Sequence, residues 1–175
     1  MGTSLQGMSG RRREICLIMI LVVCAIIVLF SDQCSKFAVQ KLLNIGESLP
    51  VLKSFFSLSL VHNYGAAFGL FQHRLWLFVG LTFVSFILIF WIYFRYGSSS
   101  KLAKLSLGLI LGGALGNLAD RLHHGYVVDF LDFYIGEYHW PSFNLADAAI
   151  CIGVGVLMFF LMFTHEGDRN VSKVA

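Results

Sequence analysis

The chain has 175 residues, of which 57% are apolar, 15% aromatic and only 13% charged, where an ordinary soluble domain carries roughly 25% charge. Thirteen basic and ten acidic side chains are too few to clothe a water-soluble globule of this size, and the basic residues are dispersed apart from Arg11, Arg12 and Arg13. This argues against a soluble enzyme or a partner made of nucleic acid and for an integral membrane protein; at about 20 apolar residues per crossing, four crossings fit in one small domain.

Residues 1–14 read as a basic cytoplasmic extension. The first apolar run, 15–31, lies between the arginine triplet and Asp32. It is followed by Ser31-Asp32-Gln33-Cys34-Ser35-Lys36, without the small-residue cleavage site of a secretory signal, so a retained helix is expected. Cys16, Cys24, Cys34 and Cys151 show neither CxxC nor Cys/His ligand spacing and read as free structural thiols.

After this helix, Phe56, Leu58 and Leu60 alternate with Ser57, Ser59 and Val61, a period of two that predicts a strand in a small outer β-element. The second helix, about 75–94, ends at Arg95-Tyr96-Gly97 and three serines, a short turn back through the bilayer. The third, about 102–119, carries Gly108, Gly112, Gly113 and Gly116, small residues that let helix backbones approach closely in lipid, and should be the packed central helix. Residues 126–133 are rich in aromatic and β-branched types and either pair with the first strand or lie along the interface. A fourth helix, about 145–163, precedes a polar cytoplasmic tail, 165–175. The fold class expected is thus an all-α membrane protein of four transmembrane helices, 15–164 forming a single domain with a small extracytoplasmic β-element.

Four passes return both termini to one side. With the termini inside, Arg11, Arg12, Arg13, Arg95, Lys101, Lys104, Arg169 and Lys173 face the cytoplasm, and Lys36, Lys41, Lys53, Arg74 and Arg121 lie outside. The excess of inner bases supports that orientation.

Polar residues converge at the outer boundary. Asp120 lies ~24 Å along a helix from Lys104, so Lys104 at the inner interface puts Asp120 at the outer one, at the end of the third helix. Gly113, Asn117 and Asp120 share one face, Asn144 and Asp147 open the fourth helix, and Asp32 and Lys36 stand i, i+4 on the first. Ionisable residues at membrane depth tend to line functional cavities, whereas snorkelling into headgroups is the alternative for Asp32 and Lys36. Asp129 and Asp147 sit among apolar residues. Two facing carboxylates cannot both ionise, so one can take a proton from water while its partner donates to a scissile carbonyl. No metal or other cofactor is called for: His123 and His124 lack HExxH spacing. Arg121 could pair with Asp120 or meet a lipid phosphate.

The blocks Asp32-Gln33 with Lys36, Asn63-Tyr64-Gly65-Ala66-Ala67-Phe68-Gly69, Gly112-Gly113-Ala114 with Gly116-Asn117 and Asp120-Arg121, Gly125 with Val127-Val128-Asp129-Phe130, and Phe143-Asn144-Leu145-Ala146-Asp147 occur in an order that resembles the bacterial lipoprotein signal peptidases, also called type II signal peptidases. The resemblance spans nearly the whole chain. It implies a four-helix aspartyl endopeptidase of the inner membrane, its site near the periplasmic face, that cuts prolipoproteins before a cysteine carrying a diacylglyceryl thioether. It implies a catalytic dyad of Asp129 and Asp147, with Asp120 the rival for the first place. Asn63, Gly65, Asn117, Arg121, Asn144 and Ala146 would support or bind substrate, and Asp32 and Lys36 would brace the site. Prolipoproteins and membrane lipids are the expected partners, and the chain is expected to act as a monomer. The basic extension, the paired histidines and a second acid, Asp132, are its departures from the family pattern. A proton-coupled transporter and a non-enzymatic scaffold are the competing readings; a transporter needs polar residues through the full membrane depth, whereas the second helix offers only Thr82 and Ser85.

Overall fold

A computed structural model describes residues 3–65, 70–97 and 100–171. Outside the described residues fall the motif segment Ala66-Ala67-Phe68-Gly69, two serines of the expected turn, Ser98 and Ser99, and 172–175 of the tail; so do the side chains of Arg11, Arg12 and Arg13. In chain order the elements are α1 (Thr3–Leu42), β1 (Ser48–Leu52), β2 (Phe56–Asn63), α2 (Leu75–Ile92), α3 (Lys101–His124), β3 (Val127–Ile135), β4 (Tyr138–His139) and α4 (Leu145–Val171), with a π-helical turn, Tyr93–Gly97, continuing α2.

Four helices are long and apolar enough to cross a membrane. Their outer faces leave Val22, Ile26, Phe30, Trp76, Ile87, Met158 and Met162 bare, as lipid-facing surfaces do. Cys16, Cys34 and Cys151 are exposed too, and all four cysteines are free thiols.

Three helices run further than the apolar pattern suggests: α1, which also begins at Thr3 within the expected extension, α3, and α4, which continues past residue 163 to Val171 in the expected tail. Charge at Asp32 reads as the end of a span in one dimension, yet α1 continues about three turns beyond Ser31 because Asp32 and Lys36 pair with each other at 2.7 Å in a buried position. Likewise α3 extends past Ala119 to His124, so Asp120 lies within the last turns rather than at the end. Ser100 caps the start of α3 by accepting from the Ala103 amide (3.3 Å), and Gly125 closes its end at φ 80°, a left-handed conformation suited to glycine.

Of the spanning segment of α3, 67% is buried, against 22% or less in each of the others, so α3 is the central helix. Its glycines explain how: a Cβ on Gly112 would stand 2.6 Å from the Ala25 carbonyl oxygen of α1, and one on Gly113 would collide with the Ala146 carbonyl of α4. Side-chain-free contact on adjacent positions lets α3 touch both neighbours through backbone. Lys104, in the first turn of α3, is fully buried. Its Nζ has no hydrogen-bond partner among the described residues and lies 3.7 Å from the centroid of the Tyr93 ring, a cation–π contact replacing water.

The β-element is larger than the alternation at 56–61 suggests: a four-stranded antiparallel sheet in the order β1-β2-β3-β4. Residues 126–133 resolve in favour of strand pairing, with Asn63 opposite Val127 and Phe56 opposite Phe133. Val39 of α1 packs with Leu60, Val128 and Phe130 in one cluster, which fastens the sheet to the C-terminal end of α1. The β2–β3 register shifts between Leu58 and Val61. On the other edge of β3 the Phe130 and Leu131 amides both donate to the Phe143 carbonyl (3.0 and 2.8 Å), the signature of a bulge.

Replacing Gly113 by alanine is expected to lower stability by about 1–3 kcal/mol through overpacking. The control is Gly155→Ala in α4, where an added Cβ meets nothing within 4 Å and should be neutral. Thermal unfolding in detergent checks both.

Candidate functional site

The site forms where the C-terminal ends of α1 and α3 and the N-terminal end of α4 meet β2 and β3. Its foundation is Lys36, whose ammonium stands 2.7 Å from Asp32 and 2.8 Å from Asp120, all three buried. The remaining oxygens of these acids are used to join elements. Asp32 accepts from the Ala146 amide at 2.9 Å in the first turn of α4, where a helix leaves amides unpaired and favours negative charge. Asp120 accepts from the Val128 amide (3.0 Å) and the Gln33 side chain (2.9 Å), which fixes β3 one residue before Asp129.

The third donor hydrogen of Lys36 goes to Asn117 Oδ1 at 3.2 Å. The Asn117 amide nitrogen donates to Asp147 Oδ1 (2.7 Å). Asn144 precedes α4 and exchanges bonds with Asp147: its Oδ1 accepts from the Asp147 amide (2.9 Å), while its own backbone amide donates to Asp147 Oδ2 (3.3 Å). That is a capping box with aspartate in the third helical position. Asn144 Nδ2 then reaches Asp129 Oδ1 at 2.7 Å and Asn117 Oδ1 at 3.2 Å. One asparagine thus touches both Asp129 and Asp147.

Asn63, at the end of β2, donates to Asp129 Oδ2 at 2.8 Å. Its Oδ1 accepts from the Gly65 amide (2.9 Å), which settles which end of the side chain faces the carboxylate. Gly65 is required there, since a Cβ would lie 2.5 Å from the Leu70 carbonyl oxygen. Burial, first, and then the charge of Asp147 push Asp129 up to about 7, against the opposing bonds from Asn63 and Asn144 and the field of Lys36.

Asp129 lines an open cavity of about 640 Å³ together with His62, Tyr64 and residues of the β4 region. Tyr126 at its margin is stacked between His62 (3.8 Å) and His124 (5.4 Å). Burial and the neighbouring His124 hold His62 below its ordinary value.

The residues named from the sequence therefore meet in one network: Asp32, Lys36, Asn63, Gly65, Asn117, Asp120, Asp129, Asn144, Ala146 and Asp147. Arg121 does not pair with Asp120, whose oxygens are taken by Lys36, Gln33 and Val128; its guanidinium lies 4.7 Å from the Phe78 ring centroid on α2. Gln33, quoted with its motif but given no role, belongs to the network through Asp120. Its position three residues before Lys36, on the same helical face, was the available signal. Sequence reading also missed His139, which bonds Asp132 at 2.9 Å; that contact depends on a turn between β3 and β4 with no periodicity to announce it.

In the fold, Asp129 loses its proton at about pH 7, and in an unfolded chain near 3.8. Between those values the unfolded state releases a proton that the folded state keeps, so the contribution of this residue to stability is greatest at low pH and is lost as pH rises through about 7. The melting-temperature difference between Asp129→Asn and wild type should accordingly become more favourable to the variant from about pH 4 to pH 8. A difference that does not vary with pH in detergent unfolding would contradict the assigned environment.

A family model described as signal peptidase (SPase) II matches residues 24–163. The chain is 44% identical over 154 residues to a lipoprotein signal peptidase of Syntrophotalea carbinolica, covering 86% of this chain and 94% of that one. It is 51% identical over 138 residues to a lipoprotein signal peptidase of Moorella thermoacetica, covering 79% and 89%. Among solved structures it is similar to a bacterial membrane enzyme determined by the in meso method at 2.3 Å, with a TM-score of 0.78 at 29% identity over 84% of this chain and 90% of that one.

Proposed function

The chain belongs to the signal peptidase II family, a membrane protease family that removes signal peptides from prolipoproteins, and we propose that it does so as an aspartyl endopeptidase with Asp129 and Asp147 as the catalytic dyad. The observation that carries this reading is a division of labour among the acids. Asp32 and Asp120 share one lysine, whereas no ion pair among the described residues involves Asp129 or Asp147. These two are held by amides alone, which fix a carboxylate without neutralising it. Asp129 also sits where an open cavity meets the buried network, and Asn144 links it to Asp147.

In this mechanism Asp129 keeps the proton of the pair at neutral pH, and Asp147, ionised, takes one from the attacking water. Asp129 donates a hydrogen bond to the scissile carbonyl, and the oxyanion of the tetrahedral intermediate develops against that donor. As the C–N bond breaks, the proton gained by Asp147 passes to the leaving amine. Asn63, Asn117 and Asn144 hold both side chains against rotation, a preorganisation that lowers the cost of reaching the transition state. Asp120 is structural in this reading, because its oxygens are committed to Lys36, Gln33 and the Val128 amide. Arg121, Gly65 and Ala146 support the cleft. The termini are cytoplasmic, 15–164 acts as one domain with 1–14 and 165–175 as appendages, and the site opens at the periplasmic face of the bacterial inner membrane. The substrate is a prolipoprotein whose cysteine bears a diacylglyceryl group; its acyl chains lie in the bilayer beside the apolar outer faces of the helices, and the enzyme acts as a monomer.

A gel-shift assay comparing a diacylglyceryl-modified prolipoprotein with its unlipidated form tests this directly. Wild type should cleave only the modified form. Asp129→Asn and Asp147→Asn should each lose activity by at least about 10³-fold, the order expected when general acid–base catalysis is removed, and remain folded. Residual activity near wild type in either would remove the dyad assignment. Asp120→Asn should instead lower stability by about 3 kcal/mol, since it breaks a buried pair, with cleavage retained in the folded fraction. Cleavage by wild type should decline as pH rises above about 7, when the proton on Asp129 is lost; a rate still climbing at pH 8.5 would assign that proton elsewhere.

A further inference from the structure

In a regular strand Asp129 and Asp132, three residues apart, would face opposite sides. Here both line the same cavity. The cause is the bulge at Phe130 and Leu131, whose two amides converge on the Phe143 carbonyl, matched across the sheet by the register shift between Leu58 and Val61. Bulges re-aim side chains next to active sites, and this one turns a second acid into the cleft about 10 Å of strand beyond the first.

Asp132 is buried but built for a partner. Ser59 Oγ donates to its Oδ2 at 3.1 Å, and His139 Nδ1 stands 2.9 Å from Oδ1 and 3.1 Å from Oδ2. With the carboxylate accepting, the proton of His139 is fixed on Nδ1 and Nε2 is left unused by that contact. The imidazole is stacked on Tyr134, with centroids 4.7 Å apart at 13°, while its side chain remains 53% exposed along the cavity wall. A ring oriented on one nitrogen, clamped on one face and open at the other nitrogen is arranged to meet a ligand.

We propose that His139, oriented by Asp132, is a substrate-binding residue for the polypeptide on the carboxyl side of the scissile bond, contacting the backbone of the first residues that follow the lipid-bearing cysteine. The inference rests on the peptidase reading above. Its direction follows from topology: the dyad end of the cavity adjoins the helices, where an apolar signal peptide lies. β3 leads away from the end of α3 toward Asp132 and β4. The chain that continues past the cut therefore occupies the Asp132–His139 end. Asp132 is a positioning residue in this scheme, and Nε2 of His139 makes the contact.

The experiment uses two diacylglyceryl-cysteine peptides with the same signal sequence, one ending in an amide at the modified cysteine and one continuing for six residues. Wild type should prefer the longer peptide through KM. His139→Ala should reduce the ratio of kcat/KM between long and short peptides by about tenfold, roughly one lost hydrogen bond, carried by KM with kcat little altered. His139→Asn keeps a donor for Asp132 but lacks the second ring nitrogen, and should show the same loss; wild-type discrimination in that variant would reduce His139 to a brace. An unchanged ratio in His139→Ala, or equal losses on both peptides, overturns the subsite and leaves the peptidase reading standing. Wild type that cleaves neither peptide overturns both.

Discussion

A single ammonium ties together the elements that build the site. Lys36 is buried between Asp32 and Asp120, and burying a charge costs least when its partners and remaining protons are fully satisfied. The arrangement meets that condition by recruiting four elements. Lys36 and Asp32 come from α1, Asp120 and Asn117 from α3, the Ala146 amide from α4 and the Val128 amide from β3. Each group that neutralises Lys36 also anchors an element of the site, so the electrostatic requirement and the geometry of the site have one solution.

That solution leaves a deliberate asymmetry. The lysine satisfies two carboxylates and stops, and the other two acids are supplied with amide donors instead. Amides position a carboxylate without cancelling its charge, and a desolvated acid beside another acid holds its proton to unusually high pH. The rise of Asp129 to about 7 is the expected consequence of placing it near Asp147 in a partly dry site. Asn144 connects the two halves, since it caps α4, braces Asp147 and donates to Asp129.

Helix packing and strand distortion serve the same end. Gly112 and Gly113 bring α1 and α4 close against neighbouring faces of α3, which sets the spacing across which Lys36, Asn117 and Asp147 can bond. The bulge in β3 turns Asp129 and Asp132 into one cleft. Without it the strand would present one of them to the opposite face of the sheet.

Much of this was legible in one dimension. Apolar runs long enough to cross a bilayer marked all four helices, glycines marked the central one, and polar residues spaced on helical faces placed Asn117, Asp120, Asn144 and Asp147 at one depth. The alternation at 56–61 located a strand. What remained hidden shares one physical origin, the dependence of a charge on neighbours distant in sequence. A lone Asp32 or Asp120 reads as the end of an apolar helix, and only the approach of α1 to α3 makes each cheap enough to bury. Lys104 reads as an interfacial base until Tyr93 covers it. The assignment of Lys36 to Asp120, the diversion of Arg121 to Phe78 and the pairing of Asp132 with His139 are choices among partners that spacing leaves equal. The sequence determined which residues could take part; tertiary packing decided which acids are neutralised by a lysine and which are held by amides alone.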